Sequence, residues 1–284
     1  MTFKKSLLLF PIVASFPYAL SAEDNLDQQY WENYNTNTSV YAQQTSSIAA
    51  NIDSQHAVSS QNILIDTYTL GRLGNSSYFG FVEAIFGKLG NANSGDEQTP
   101  YGLDIMQVRG SINQQWKVTS SVGFGWNYYG IDRNLARSPE GKFGYKFDSL
   151  GAIATYQWHK WTFMPQVNYV FNGDMGKDGL DSGQGLGSSK FDGFFILPVV
   201  RLQLSDNGSY FSVLPEYFVG YGEHDTDVSY MKWQFRVGAP LGDSKKWWLK
   251  GRFEHTSYHQ YDYCGIDISP SEDTAVSVGI QYNW

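Results

Sequence analysis

The sequence predicts an all-β fold, a transmembrane antiparallel up-and-down β-barrel of twelve strands. Three observations predict it. The C-terminal stretch 274–284 alternates strictly between apolar and polar residues and ends on an aromatic. The same two-residue period recurs upstream, and short connections alternate with mostly longer ones along the chain.

In 274–284, Val276, Val278, Ile280, Tyr282 and Trp284 share one face, and Ser277, Gly279, Gln281 and Asn283 the other. Met231, Trp233, Phe235 and Val237 alternate with Lys232, Gln234, Arg236 and Gly238. Trp247, Leu249 and Phe253 alternate with Lys250, Arg252 and Glu254, and Trp116 to Tyr128 repeats the theme. Strands are read over 37–51, 62–73, 78–88, 103–113, 116–131, 146–158, 161–171, 191–204, 209–222, 228–241, 247–258 and 274–284. The links 74–77, 114–115, 159–160, 205–208 and 242–246 are short and fall on one side, as periplasmic turns do. The first strand is polar and poor in aromatics, which leaves a ten-strand barrel as the alternative.

Composition agrees. The chain has 284 residues, 17% aromatic and 17% charged, with 29 glycines; soluble domains carry about 25% charged residues. Its net charge of -8 argues against nucleic acid as a partner. Lys4 and Lys5, the apolar run 7–16 and Ala19-Leu-Ser-Ala22 read as a secretory signal over 1–22. The barrel then occupies 23–284, preceded by a polar segment at about 23–36, and its solvent is outer-membrane lipid.

In lipid the apolar face is outside and the charged face lines a lumen. Asp66, Glu83, Arg109, Lys117, Arg201, Glu216, Lys232, Arg236, Lys250, Arg252 and Glu254 then point inward. Lys232, Arg236, Lys250 and Arg252 form one basic wall on neighbouring strands, which opposed carboxylates turn into a selective constriction. Phe79, Phe81 and Ile85 share the face of Glu83, and Tyr68 that of Asp66. Rings beside charges suit a ring-bearing polar solute.

Nothing marks an enzyme or a cofactor site. His56, His159, His224, His255 and His259 lie in turns, loops or opposite a mismatched face, and no Gly-x-Ser-x-Gly elbow occurs. The single Cys264 joins no cluster with metal-ligand spacing. The Gly- and Asp-rich stretch 172–190 lacks the closing glutamate of a calcium loop and reads as an external loop.

Asp66-Thr67-Tyr68, Tyr78-Phe79-Gly80-Phe81-Val82-Glu83, Arg109 with Ser111-Ile112-Asn113, Phe191-Asp192-Gly193-Phe194 and Gly251-Arg252-Phe253-Glu254-His255 together resemble the Tsx-type nucleoside-specific channels of the bacterial outer membrane. The resemblance implies a monomeric twelve-stranded barrel passing nucleosides passively, with Asp66, Tyr68, Phe81, Glu83 and Arg109, and more loosely Arg252 and Glu254, in contact with solute. The polar 23–50 segment departs from that pattern. Two other functions fit the residues: a porin for acidic oligosaccharides or sugar acids, drawn by the basic wall, and a non-conducting structural or adhesin barrel whose binding part is 172–190.

Overall fold

Each strand hydrogen-bonds to the next around one closed sheet in the computed structural model, and the first strand pairs with the last. The structure describes residues 36–49, 57–73, 76–91, 105–137, 141–178, 189–223, 226–263, 266–267 and 270–284. The expected signal segment 1–22 and the polar residues to 35 lie outside them.

The sheet has twelve antiparallel strands. They are β1 (Thr36–Ala49), β2 (Ala57–Leu73), β3 (Ser76–Asn91), β4 (Ile105–Lys117), β5 (Val122–Arg137) and β6 (Gly141–Trp158). There follow β7 (Trp161–Met164 and Gln166–Asp178), β8 (Ser189–Ile196 and Val199–Gln203), β9 (Tyr210–Gly222), β10 (Asp227–Leu241), β11 (Trp247–Tyr263) and β12 (Pro270–Asn283). The polar first strand is present and closes the barrel on β12, from Asn37 opposite Asn283 to Ala49 opposite Pro270. Twelve, and not ten, is the count. Closure removes both sheet edges, which a bilayer requires because lipid offers backbone groups no partner.

Several boundaries differ from the sequence reading: β2 starts at Ala57, β11 runs to Tyr263 and β12 starts at Pro270. The β4–β5 turn is 118–121, not 114–115, so Trp116 and Lys117 end β4. The expected external loop 132–145 is mostly a hairpin, because β5 runs to Arg137 and β6 starts at Gly141. The loop expected over 172–190 is partly strand as well, with β7 reaching Asp178 and β8 starting at Ser189.

Side chains alternate as the period requires. Ile63 is 55% exposed on the outer face, whereas its neighbour Leu64 is 0% exposed inside. Val40, Ile112, Phe124, Leu150, Val167, Phe194, Val237, Phe253 and Val278 continue the outer apolar belt, whose only compatible solvent is hydrocarbon. Trp116, Trp158, Trp247 and Trp284 are exposed beside the short turns and form an interfacial girdle. Trp284 also ties the barrel shut, its amide donating to Thr36 O at 2.9 Å and its indole to Thr38 Oγ1 at 3.2 Å.

Candidate functional site

The interior is filled by three kinds of side chain, layered by the strands that carry them. Nearest the external end, Tyr129, Phe147, Val170, Met175, Phe191, Phe195, Phe218, Val228 and Tyr230 make a buried apolar cluster. Rings run through it in sequence: Tyr68 stacks on Phe81 (5.6 Å between centroids), Tyr129 on Phe195 (5.2 Å), Phe147 on Phe218 (5.2 Å) and Phe218 on Tyr230 (5.3 Å). Phe81 to Tyr129 (6.5 Å) and Tyr230 to Tyr258 (6.0 Å) complete a path of aromatic contacts across the lumen. A cavity of about 10 Å³ beside Phe147, Phe218 and Tyr230 is scarcely the size of one water, so the cluster is packed.

Below it lies a charged layer. Arg109 grips Glu83 with two parallel bonds, Nε to Oε1 at 2.6 Å and Nη2 to Oε2 at 3.0 Å, the bidentate geometry that suits guanidinium to carboxylate. Arg252 reaches the same carboxylate from β11 and also pairs with Glu254, which Lys232 Nζ approaches at 3.3 Å. Arg236 donates to Tyr68 Oη at 2.9 Å and to Gln234 Oε1 at 2.9 Å. Gln234 passes the network on to Glu216 (3.3 Å), which also accepts from Tyr230 Oη at 2.7 Å. Asp66 is buried beside these groups, and its Oδ1 has no hydrogen-bond partner among the described residues. Four carboxylates (Asp66, Glu83, Glu216, Glu254) thus face four cations (Arg109, Lys232, Arg236, Arg252).

Across β4 to β7 a second part of the lumen is lined by uncharged polar groups. Ser111, Asn127, Asn168 and Ser149 form a chain of hydrogen bonds of 2.8, 3.2 and 3.0 Å across β4 to β7. Nearer the periplasm, Lys250 donates to Tyr210 Oη at 2.6 Å, and the Arg201 guanidinium lies 4.0 Å from that ring.

Compared with known proteins, the chain matches no protein-family model and no curated sequence. Solved structures do match. The COG4313 outer membrane channel from Pseudomonas putida F1 aligns with a TM-score of 0.61 at 12% identity, over 91% of this chain and 100% of that one. The translocator domain of autotransporter NalP from Neisseria meningitidis gives 0.50 at 10% identity, over 91% of each. The fold is an outer-membrane barrel. Among the described residues, its lumen is where side chains from distant strands converge out of lipid.

Nearly all the lumenal residues expected from the sequence converge there. Asp66, Tyr68, Phe81, Glu83, Arg109, Lys232, Arg236, Arg252 and Glu254 share the charged layer or border it. Lys250 does not join them, because it sits lower against Tyr210 and Trp248. The basic wall is real in register, with Arg236 opposite Arg252, yet carboxylates from β3 and β11 neutralise much of it. Alternation puts Gln234 on the polar face without singling it out, and the sequence reading does not anticipate the rings Tyr129, Phe147, Phe195 and Phe218. Phe218 shares the inward face of Glu216, so alternation alone could have placed it.

His255 sits on the outer face, with Thr274 Oγ1 at 3.1 Å and Ser257 Oγ at 3.3 Å, while Glu254 is inside. A serine and histidine on one side of the wall with the carboxylate on the other make no catalytic relay.

Proposed function

We propose that the chain is a passive outer-membrane channel for small, uncharged, ring-bearing solutes, nucleosides among them. The observation that carries this reading is the charged layer with four carboxylates and four cations, bordered by the Tyr68–Phe81 stack. A balanced layer neither concentrates nor expels an ion, while fixed donors and acceptors exchange hydrogen bonds with hydroxyls and amides. Asp66 Oδ1 and Asn62 Oδ1, buried without partners among the described residues, supply acceptors for such groups. Successive rings offer weak stacking positions, which lets a solute enter and leave. Pairing of Arg252 and Lys232 to carboxylates supports an uncharged solute over a sugar acid.

The packed aromatic cluster favours a second reading, a non-conducting barrel, because a solute must displace rings to pass. Uptake into proteoliposomes holding the full-length chain separates the two. Uridine should enter faster than a sugar of matched size, and faster than a uronate trimer. Equal rates for uridine and the sugar would sink the nucleoside reading. No uptake and no conductance across a planar bilayer would favour the closed barrel.

A further inference from the structure

Three prolines stand in one row across the barrel wall. The register Met164 opposite Val199, with reciprocal bonds between Gln166 and Leu197 of 3.1 and 2.9 Å, places Pro165 of β7 opposite Pro198 of β8. Val200 opposite Val213, and Ile196 opposite Tyr217, place Pro198 opposite Pro215 of β9.

Their hydrogen-bonding consequences are unequal. Along an antiparallel strand, backbone groups address the two neighbours alternately. Leu197 bonds to β7, so Pro198 addresses β9 and meets Pro215 where two reciprocal N–H···O bonds belong. Neither proline has an N–H, and both bonds are missing. Pro165 addresses β6, accepts from Ala154 N at 3.1 Å and returns nothing. Proline is normally confined to edges, and a closed barrel has none. Both β7 and β8 are interrupted as strands at this level.

The gap is apolar on both sides. Inside, Leu197 packs against the aromatic cluster that Phe195 and Phe218 belong to. Outside, Ile196, Val167 and Tyr217 face lipid. Glu216, the carboxylate nearest the gap on the inner face, is held by Tyr230 and Gln234 of β10.

We propose that the β8–β9 wall at Pro198 and Pro215 is a lateral exit, through which small uncharged aromatic compounds pass from the ring-lined interior into the hydrocarbon of the membrane. The outward-facing prolines make this the level at which two strands part without breaking ladder bonds. The ring cluster beside it holds an apolar solute that water would not. This route rests on the aromatic interior and does not depend on nucleoside passage.

The test uses cells producing the full-length chain and the probe N-phenyl-1-naphthylamine, which fluoresces on reaching hydrocarbon. The same register places Val199 opposite Leu214, at a position suited to a cross-strand disulfide. In a Cys264→Ser background, V199C/L214C should lock the wall when oxidised. The wild-type chain should speed probe entry above the empty-vector rate; the oxidised lock should abolish the gain, and dithiothreitol should restore it. P198V/P215V, which supplies two N–H donors, should slow entry without any oxidant and carries the test if the cysteine pair fails to assemble. Uridine uptake should be the same with the lock open or closed. Probe entry unchanged by a fully formed disulfide, or no faster with the wild-type chain than with vector, would overturn the lateral route. Loss of uridine uptake together with probe entry would overturn it too, by placing the block in the lumen.

Discussion

Glu83 and Arg252 meet across the lumen, although β3 and β11 are separated around the sheet by β2, β1 and β12 and the residues lie 169 positions apart. With Arg109 on its other side, Glu83 is the one anion between two buried guanidinium groups. The pairing is a bar that ties together two strands that are not neighbours in the sheet.

Glu83→Gln should therefore destabilise the barrel strongly. It leaves Arg109 and Arg252 facing each other, and removing one partner of a buried pair costs about 3–5 kcal/mol. The gel-mobility shift between folded and heat-unfolded barrel should move to lower temperature. The apolar triple variant E83M/R109L/R252L should recover much of the loss, because it strands no guanidinium and Glu254 keeps Lys232 as its partner. A triple variant weaker than E83Q would show that the ions contribute more than mutual neutralisation.

Phe218 stacks on both Phe147 and Tyr230 and so joins the two halves of the ring path. Phe218→Ala should interrupt it and leave a void that neighbouring rings on rigid strands fill only in part. Single-channel conductance should rise above the wild-type value, while thermal stability falls, in line with the about 3–5 kcal/mol that buried Phe→Ala changes cost. Unchanged conductance would place the constriction elsewhere, with the charged layer the next candidate.

Much of this was legible because barrel residues have only two environments. Period two assigned Asp66, Glu83, Arg109 and Arg252 to the lumen, and each is buried there. It failed where both faces carry the same kind of residue. Phe194 and Phe195 are adjacent and both apolar, yet one faces lipid and the other the interior. Trp116-Lys117-Val118-Thr119 keeps alternating through a chain reversal, so the pattern could not show the turn at 118–121. Asp132 read as loop, yet it pairs in register with Lys146 on strands that run past the apolar belt. The Glu83–Arg252 contact had no local signal, since registers accumulated around the sheet decide it.

Removing the ladder gap should stabilise the barrel. P198V/P215V restores two backbone donors at a hydrogen-bonded pair position, and each net hydrogen bond is worth about 0.5–1.5 kcal/mol. β-branched valine also suits an extended backbone. The double variant should unfold at higher temperature than the wild-type chain, with each single variant gaining less than half of the effect, because one new donor leaves the other carbonyl unanswered. Equal and additive gains would mean that the two strands do not face each other at these residues.

The last prediction concerns the periplasmic mouth. Arg201 and Lys250 both crowd the Tyr210 ring, at 4.0 and 4.7 Å from its centroid, and Lys250 is 5.5 Å from the Trp248 ring. Unlike the cations of the central layer, these two share an aromatic partner, and ring faces hold cations without cancelling their charge. The mouth therefore carries a positive field that the central layer lacks. R201Q/K250Q should shift the reversal potential in a salt gradient toward cation selectivity. The shift should shrink as ionic strength rises, since the screening length falls from about 10 Å at 0.1 M to about 3 Å at 1 M. Thermal stability should change by about 1 kcal/mol, because Arg201 is exposed and the buried Lys250 loses one hydrogen bond, to Tyr210 Oη. A reversal potential unmoved at low salt would mean that ions do not pass this mouth.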